Sequence, residues 1–190
     1  LRREDVSVIH NWAPLSEYPI RPRDNDWAKS NGTVGKVCFM WTGTLGFKHN
    51  PGLLLDLARK YKDSENIEVL VVSESIGARW LKKQKETDDL PNLRILGFQP
   101  YEDVPDMMAS ADVLVASVNN EVSFYAVPSK VLSYMCSGRP VLLGIDEGNL
   151  AARILKDNWI GIVVDPQDSA AFLAGAERLC SDRKMSINMG

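Results

Sequence analysis

From Lys36 onward the chain switches between two hydrophobic periods. Val37-Cys38-Phe39-Met40-Trp41 is an unbroken apolar run ending at Thr42-Gly43, the pattern of a strand covered on both faces. Pro51 then opens a segment in which Leu53, Leu54, Leu57, Ala58 and Tyr61 recur at helical spacing. The alternation continues with a strand over Ile67–Val72, a helix over 76–85, a strand over Leu93–Leu96, a helix over 103–110 and a strand over 113–116. It closes with a helix over 129–137, a strand over 141–143, a helix over Leu150–Asp157, a strand over 160–164 and a helix over 169–182. In the helix over 76–85 the spacing turns Ile76, Trp80 and Leu81 inward and Lys82, Lys83 and Lys85 outward. Residues 1–35 have no clean period. Pro14, Pro19 and Pro22, then Asp24-Asn25-Asp26 and Ser30-Asn31-Gly32, describe an extended connector. Within it, Val8-Ile9-His10-Asn11-Trp12 reads as a short strand or a docking segment.

Six strands alternating with six helices predict a Rossmann-like three-layer α/β domain, with a six-stranded, mostly parallel sheet and helices on both faces. The expected division is a connector over 1–35, leading in from a missing N-terminal half, and a ligand-binding domain over 36–190. In such a sheet a ligand lies beyond the carboxyl ends of the strands, where the strand order reverses. For the order 3-2-1-4-5-6 that point falls between the first and fourth strands, which singles out the loops over 43–50 and 117–130. The second is long for a βα connection, and long loops at this edge tend to carry function.

Composition narrows the partners. The chain has 190 residues, is 45% hydrophobic and 25% charged, and has a formal net charge of -3. It lacks the pronounced basic character of a nucleic-acid-binding domain, so no nucleic acid partner is expected. No apolar run reaches the roughly 20 residues of a membrane span. The opening Leu1-Arg2-Arg3-Glu4-Asp5 has no initiator Met and no signal peptide, and reads as part of something longer. Cys38, Cys136 and Cys180 are widely spaced in apolar segments and read as buried, reduced thiols. His10 and His49 are too few for a typical zinc site, and Asp24-x-Asp26 fits a solvated turn better than a metal doublet.

The two loops carry the candidate chemistry. Gly43-Thr44-Leu45-Gly46 lets the backbone turn tightly and approach an anion, and Lys48 supplies charge; the competing reading is that both glycines serve only the turn. The loop has neither the Gly-x-Gly-x-x-Gly order of a dinucleotide fold nor the Gly-Lys-Ser/Thr of a P-loop. At Val127-Pro128-Ser129-Lys130, Ser129 is a natural N-cap, and the new helix would aim free N–H groups into the cleft. A lysine in the first turn opposes the helix dipole by roughly 0.3–1 kcal/mol. It is accounted for either by an anion shared with the amides or by a solvent-screened side chain.

Several motifs now fall into an order. Thr42-Gly43-Thr44-Leu45-Gly46 with Lys48-His49-Asn50 comes first, then Pro91-Asn92-Leu93 and Leu96-Gly97-Phe98-Gln99-Pro100, then Ala109-Ser110-Ala111-Asp112-Val113. Pro128-Ser129-Lys130, Tyr134-Met135 and Gly138-Arg139-Pro140-Val141 complete the set. Together, over about residues 36–180, they resemble the C-terminal, donor-binding half of GT-B glycosyltransferases. The nearest group is glycosyltransferase family 4 (group 1), among the bacterial enzymes of surface-polysaccharide synthesis.

The resemblance implies a nucleotide-diphospho-sugar donor, UDP-linked, whose sugar passes with retention to a glycan or lipid-linked acceptor held by the missing half. It places the diphosphate against Gly43, Thr44, Leu45 and Gly46, Lys48, and the helix start at Pro128, Ser129 and Lys130. Lys48 and Lys130 would stabilise the leaving group. It places the base near Gly97, Phe98 and Gln99, where Phe98 serves either recognition or the core. It implies no bound metal or cofactor, a cytoplasmic location, and membrane contact only through the full-length protein or a lipid-linked acceptor. One departure stands out: the two glutamates common in the family fall here on Tyr125 and Ser133. Ser133 can still bond a ribose hydroxyl, more weakly than a carboxylate. Glu121 is either a substitute for the sugar-contacting acid or a solvated surface residue. The missing acids also fit a second reading, a non-catalytic nucleotide-sugar-binding subunit that works with a separate chain.

Overall fold

The apolar runs of the sequence pair side by side in a single sheet. A computed structural model describes Asp5, Ser7 and residues 11–190. Its strands are β1 (Val37–Thr42), β2 (Ile67–Val72), β3 (Leu93–Leu96), β4 (Val113–Ser117), β5 (Val141–Gly144) and β6 (Gly161–Val164). They are all parallel, in the order β3-β2-β1-β4-β5-β6. Parallel neighbours need a crossover, and the helices that supply it cover both faces.

The helices are α1 (Asp26–Ser30), α2 (Gly52–Lys60), α3 (Ile76–Asp88), α4 (Val104–Ala109), α5 (Asn120–Ser123), α6 (Ser129–Cys136), α7 (Leu150–Asp157), α8 (Ser169–Ser181) and α9 (Arg183–Met189). Alternate residues of β1 point to opposite cores. Phe39 and Trp41 join Leu53, Leu57, Leu81, Phe172 and Leu179 on the face covered by α2, α3 and α8. Cys38 and Met40 join Trp27, Met107, Val131, Tyr134 and Leu155 on the face covered by α1, α4, α6 and α7.

The structure departs from the sequence reading in several places. The regular fold begins ten residues before Lys36. Asn25, buried, caps α1 by accepting the Ala28 amide, and α1 buries Trp27 and Ala28. A five-residue helix is too short to show a period, and its packing is tertiary. Asp24 pairs with Arg23 and Asp26 with Lys29, as solvated residues do. Val8, Ile9 and His10 lie outside the described residues. Ile76 is half exposed rather than inward, because Gly77, Ala78 and Leu81 are the residues α3 buries. After residue 182 the chain forms α9, whose Met185 and Met189 close the first core. Cys38 is fully buried, but Cys136 and Cys180 are only partly so; all three are free thiols. Among the described residues no helix is long and apolar enough to cross a membrane.

Candidate functional site

The strand order reverses between β1 and β4, and there the two loops close on each other. Asn119 donates its amide to the Lys48 carbonyl at 2.8 Å and its side chain to the Phe47 carbonyl at 3.3 Å. The Ser117 hydroxyl donates to the His49 carbonyl. The result is a cleft of about 610 Å³ at the carboxyl ends of the strands. Of the residues expected at a site, Gly43, Thr44 and Lys48 line it from one side and Pro128, Ser129, Lys130 and Ser133 from the other. Val104, Met108, Val118 and Val122 supply an apolar wall.

The first loop is built around a buried leucine. Gly43 sits at φ +84, a conformation that glycine adopts without strain. Leu45 turns fully into the core. Its amide donates to Ser75 Oγ at 2.8 Å, and its carbonyl accepts from Ser75 Oγ at 2.7 Å and from the Gly77 amide at 2.9 Å. The Gly43 amide bonds the Val72 carbonyl, and the Gly46 amide bonds His49 Nδ1 at 3.0 Å. Three of the four amides over 43–46 are therefore engaged within the chain, and among the described residues the Thr44 amide has no partner and stays open to a ligand. Leu45 and Gly46 shape this loop without lining the cleft.

The second loop ends at α6, whose cap is not the expected one. Pro128 occupies the N-cap and Ser129 is already the first helical residue, so no side chain caps the helix. Proline fixes the entry backbone; the Val131 amide bonds the Pro128 carbonyl at 3.0 Å, and the Ser129 and Lys130 amides have no partner among the described residues. One turn apart on the same helix, Lys130 and Tyr134 both reach Thr42. Lys130 Nζ donates to the Thr42 carbonyl at 2.9 Å, and the Tyr134 hydroxyl accepts from the Thr42 amide at 2.9 Å. Tyr134 is fully buried, which pushes its hydroxyl up to about 12. Lys130 Nζ also lies 3.4 Å from the centroid of the buried Trp41 ring. Burial pulls its ammonium down to about 7. Among the described residues no Asp or Glu lines the cleft. Among the described residues, the desolvation of Lys130 is therefore offset by a carbonyl and an aromatic face alone.

His49 lines the same cleft and was not singled out from the sequence. Its ring packs against Trp41, with centroids 5.5 Å apart. Burial, then Lys130 and Lys48, lower its pKa to about 4, so the ring is neutral at physiological pH. Thr42, Trp41 and Tyr134 were also missed as site residues. Each reads from sequence as strand or helix core, and only the packing of α6 against the end of β1 gives them a second role.

Other expected site residues lie elsewhere. Gly97, Phe98 and Gln99 follow β3 outside the cleft lining. The Phe98 amide is held by Glu74, Gln99 accepts the Trp27 indole N–H at 3.2 Å, and the Phe98 ring is 53% exposed rather than core. Glu121 is exposed on α5 and does not line the cleft. Tyr125 is 86% exposed and meets Phe124 edge to face.

Comparison with known proteins agrees with this geometry. The family model for glycosyl transferases group 1 matches residues 36–182. The chain is 24% identical over 173 residues to a probable glycosyltransferase, WbjE, of Pseudomonas aeruginosa, covering 90% of this chain and 43% of that one. It thus spans less than half the length of the full-length relatives it matches. Among solved structures, the C-terminal domain of a glycosyl transferase group 1 family protein (LpcC) from Francisella tularensis superimposes with a TM-score of 0.76 at 14% identity, over 93% of this chain and 92% of that one. Anabaena HepE in complex with UDP-glucose gives 0.82 at 17% identity, over 99% of this chain and 51% of that one. At such identities the superpositions speak to the fold, the Rossmann-like half of a GT-B architecture. With the family model covering most of the chain and the fold agreeing throughout, this chain belongs to the glycosyl transferases group 1 family.

Proposed function

We propose that this domain binds the nucleotide diphosphate of a sugar donor, UDP-linked, as half of a glycosyltransferase whose other half holds the acceptor. The observation that carries the reading is the desolvated Lys130, which meets no carboxylate among the described residues, beside Lys48, the Thr44 amide and the uncapped start of α6. These groups are all donors or cations, and a diphosphate is all acceptor. When the sugar–phosphate bond breaks, negative charge grows on the departing diphosphate. Fixed donors in a site sheltered from water stabilise that charge more than water would. Lys48 and Lys130 are assigned this role. The apolar wall receives the uncharged part of the donor, and Ser133 offers a hydroxyl to the ribose. Transfer proceeds with retention to a glycan or lipid-linked acceptor, once the second half closes over the cleft.

Calorimetric titration with UDP, GDP and pyrophosphate tests the reading. All three are expected to bind through the diphosphate, UDP most tightly. Lys48→Ala and Lys130→Ala should each weaken binding about tenfold, the usual scale for a charge-assisted hydrogen bond. A folded sample that binds none of the three refutes the assignment. The serine and tyrosine at 133 and 125 favour a second reading, a binding subunit without turnover. Co-expression with the remaining half separates the two by donor hydrolysis or transfer.

A further inference from the structure

His49 has the geometry of a ligand-contacting donor, fixed in one protonation state by its own loop. Its Nδ1 accepts the Gly46 amide at 3.0 Å, so the ring proton of the neutral form sits on Nε2. Trp41 flanks the ring, and the Ser117 hydroxyl holds the His49 carbonyl, so both ring and backbone are anchored. Nε2 has no partner among the described residues, and it is not among the buried polar atoms left unpartnered. It therefore opens to solvent, at a residue that lines the cleft between Lys48 and Lys130.

We propose that His49 is a neutral hydrogen-bond donor to the diphosphate of the donor substrate, through Nε2–H, and not an acid or base in the reaction. The proposal rests on the diphosphate reading above. A general base needs an open, unprotonated nitrogen, and the only such nitrogen here is occupied by the Gly46 amide. A general acid needs a proton it can release, and a neutral imidazole does not release Nε2–H in this range. What remains is donation, from a ring whose charge is suppressed beside two lysines. The arrangement also gives the His49 neighbourhood its logic. The loop that turns at Gly43 folds back through Gly46 to set the ring's tautomer, and the same amide thereby becomes unavailable to ligand. The Gly46 N–H reaches the diphosphate indirectly, by polarising the imidazole that does.

The test is nitrogen NMR of the imidazole rings in the 15N-labelled chain, with pyrophosphate and UDP as probes. His10 and His49 are distinguished by repeating the spectra with His49→Gln. The expected result has three parts. The His49 ring shows the Nε2–H tautomer and does not titrate between pH 5.5 and 8. Its Nε2 resonance moves on saturation with pyrophosphate. His49→Gln binds pyrophosphate about fivefold to tenfold more weakly, a range set by loss of one hydrogen bond to a charged group. If pyrophosphate shifts the Lys48 and Lys130 signals while His49 Nε2 stays still, the inference falls and the diphosphate reading survives. If the ring is protonated on Nδ1, or titrates near pH 6.5, the inference likewise falls. If the wild-type chain binds no diphosphate, both fall. Where His49→Gln folds poorly, His10→Gln leaves the His49 ring alone in the spectrum, and the assigned wild-type spectra then decide the matter.

Discussion

Replacing Lys130 with methionine should make the protein more stable at pH 6 and worse at binding diphosphate. The stem of Lys130 keeps its volume in this change, while the buried ammonium is removed. A free lysine titrates at 10.5 and the buried one at about 7. At about 1.36 kcal/mol for each pH unit, holding that charge in the fold costs about 5 kcal/mol below pH 7. Part of this returns when the variant loses the amine's contact with the Trp41 ring and leaves the Thr42 carbonyl unmatched, together about 2–4 kcal/mol. The net expectation is a gain of about 1–3 kcal/mol at pH 6. The folded-state value lies below the unfolded one, so the unfolded chain binds more protons between them, and wild-type stability rises with pH through that window. The penalty is complete below pH 7 and gone near 10.5. By pH 9 about 3 kcal/mol of it has been relieved, and the variant's advantage should vanish or reverse. Urea unfolding at pH 6 and pH 9 reads both quantities, and calorimetry with UDP reads the loss of affinity. A variant less stable than wild type at pH 6, with the same difference at pH 9, would refute the claim that Lys130 is a desolvated charge awaiting an anion.

Three further outcomes follow from the same geometry. A bound diphosphate should return the Lys130 proton, so UDP affinity should be level below pH 7 and fall above it, by up to tenfold per pH unit; titrations in buffers of different ionisation enthalpy would show the proton uptake. Gly77→Ala places a Cβ 2.5 Å from the Leu45 carbonyl oxygen, so α3 or the Leu45 loop must shift. The expected cost is about 1–3 kcal/mol in thermal or urea unfolding, with weakened UDP binding although residue 77 lies outside the cleft. Tyr134→Phe removes the acceptor of the Thr42 amide and hydroxyl and should cost about 1–2 kcal/mol in urea unfolding.

The sheet was legible because its strands are buried on both faces and therefore read as unbroken apolar runs, and because crossover connections leave few orders to choose from. The cleft's place followed from that order. Individual roles were less legible. Leu45 and Gly46 lie in a glycine-bearing loop and read as anion ligands, but the loop is pinned by Ser75 and Gly77, thirty residues away in sequence. Ser129 has the chemistry of a cap, yet the preceding proline takes the cap position, so that the helix starts one residue earlier, at Ser129 itself. Lys130 posed its question correctly in sequence, a cation where the helix dipole disfavours one. Its contact with Trp41 depends on α6 meeting the end of β1. His49 gave no signal of its own, since a tautomer is set by which amide happens to face the ring.

That no described acid lines the cleft also bears on kinetics. The chain carries a net charge of -3, yet the two lysines at this opening pair with no carboxylate among the described residues. A field of one sign at a concave mouth guides an anion inward before any contact forms, and salt screens that guidance over about 8–10 Å at ordinary ionic strength. Nucleotide capture should accordingly slow as salt is raised. Spent diphosphate, drawn by the same field as fresh donor, should leave more readily under those conditions, so moderate salt would trade slower loading for faster emptying.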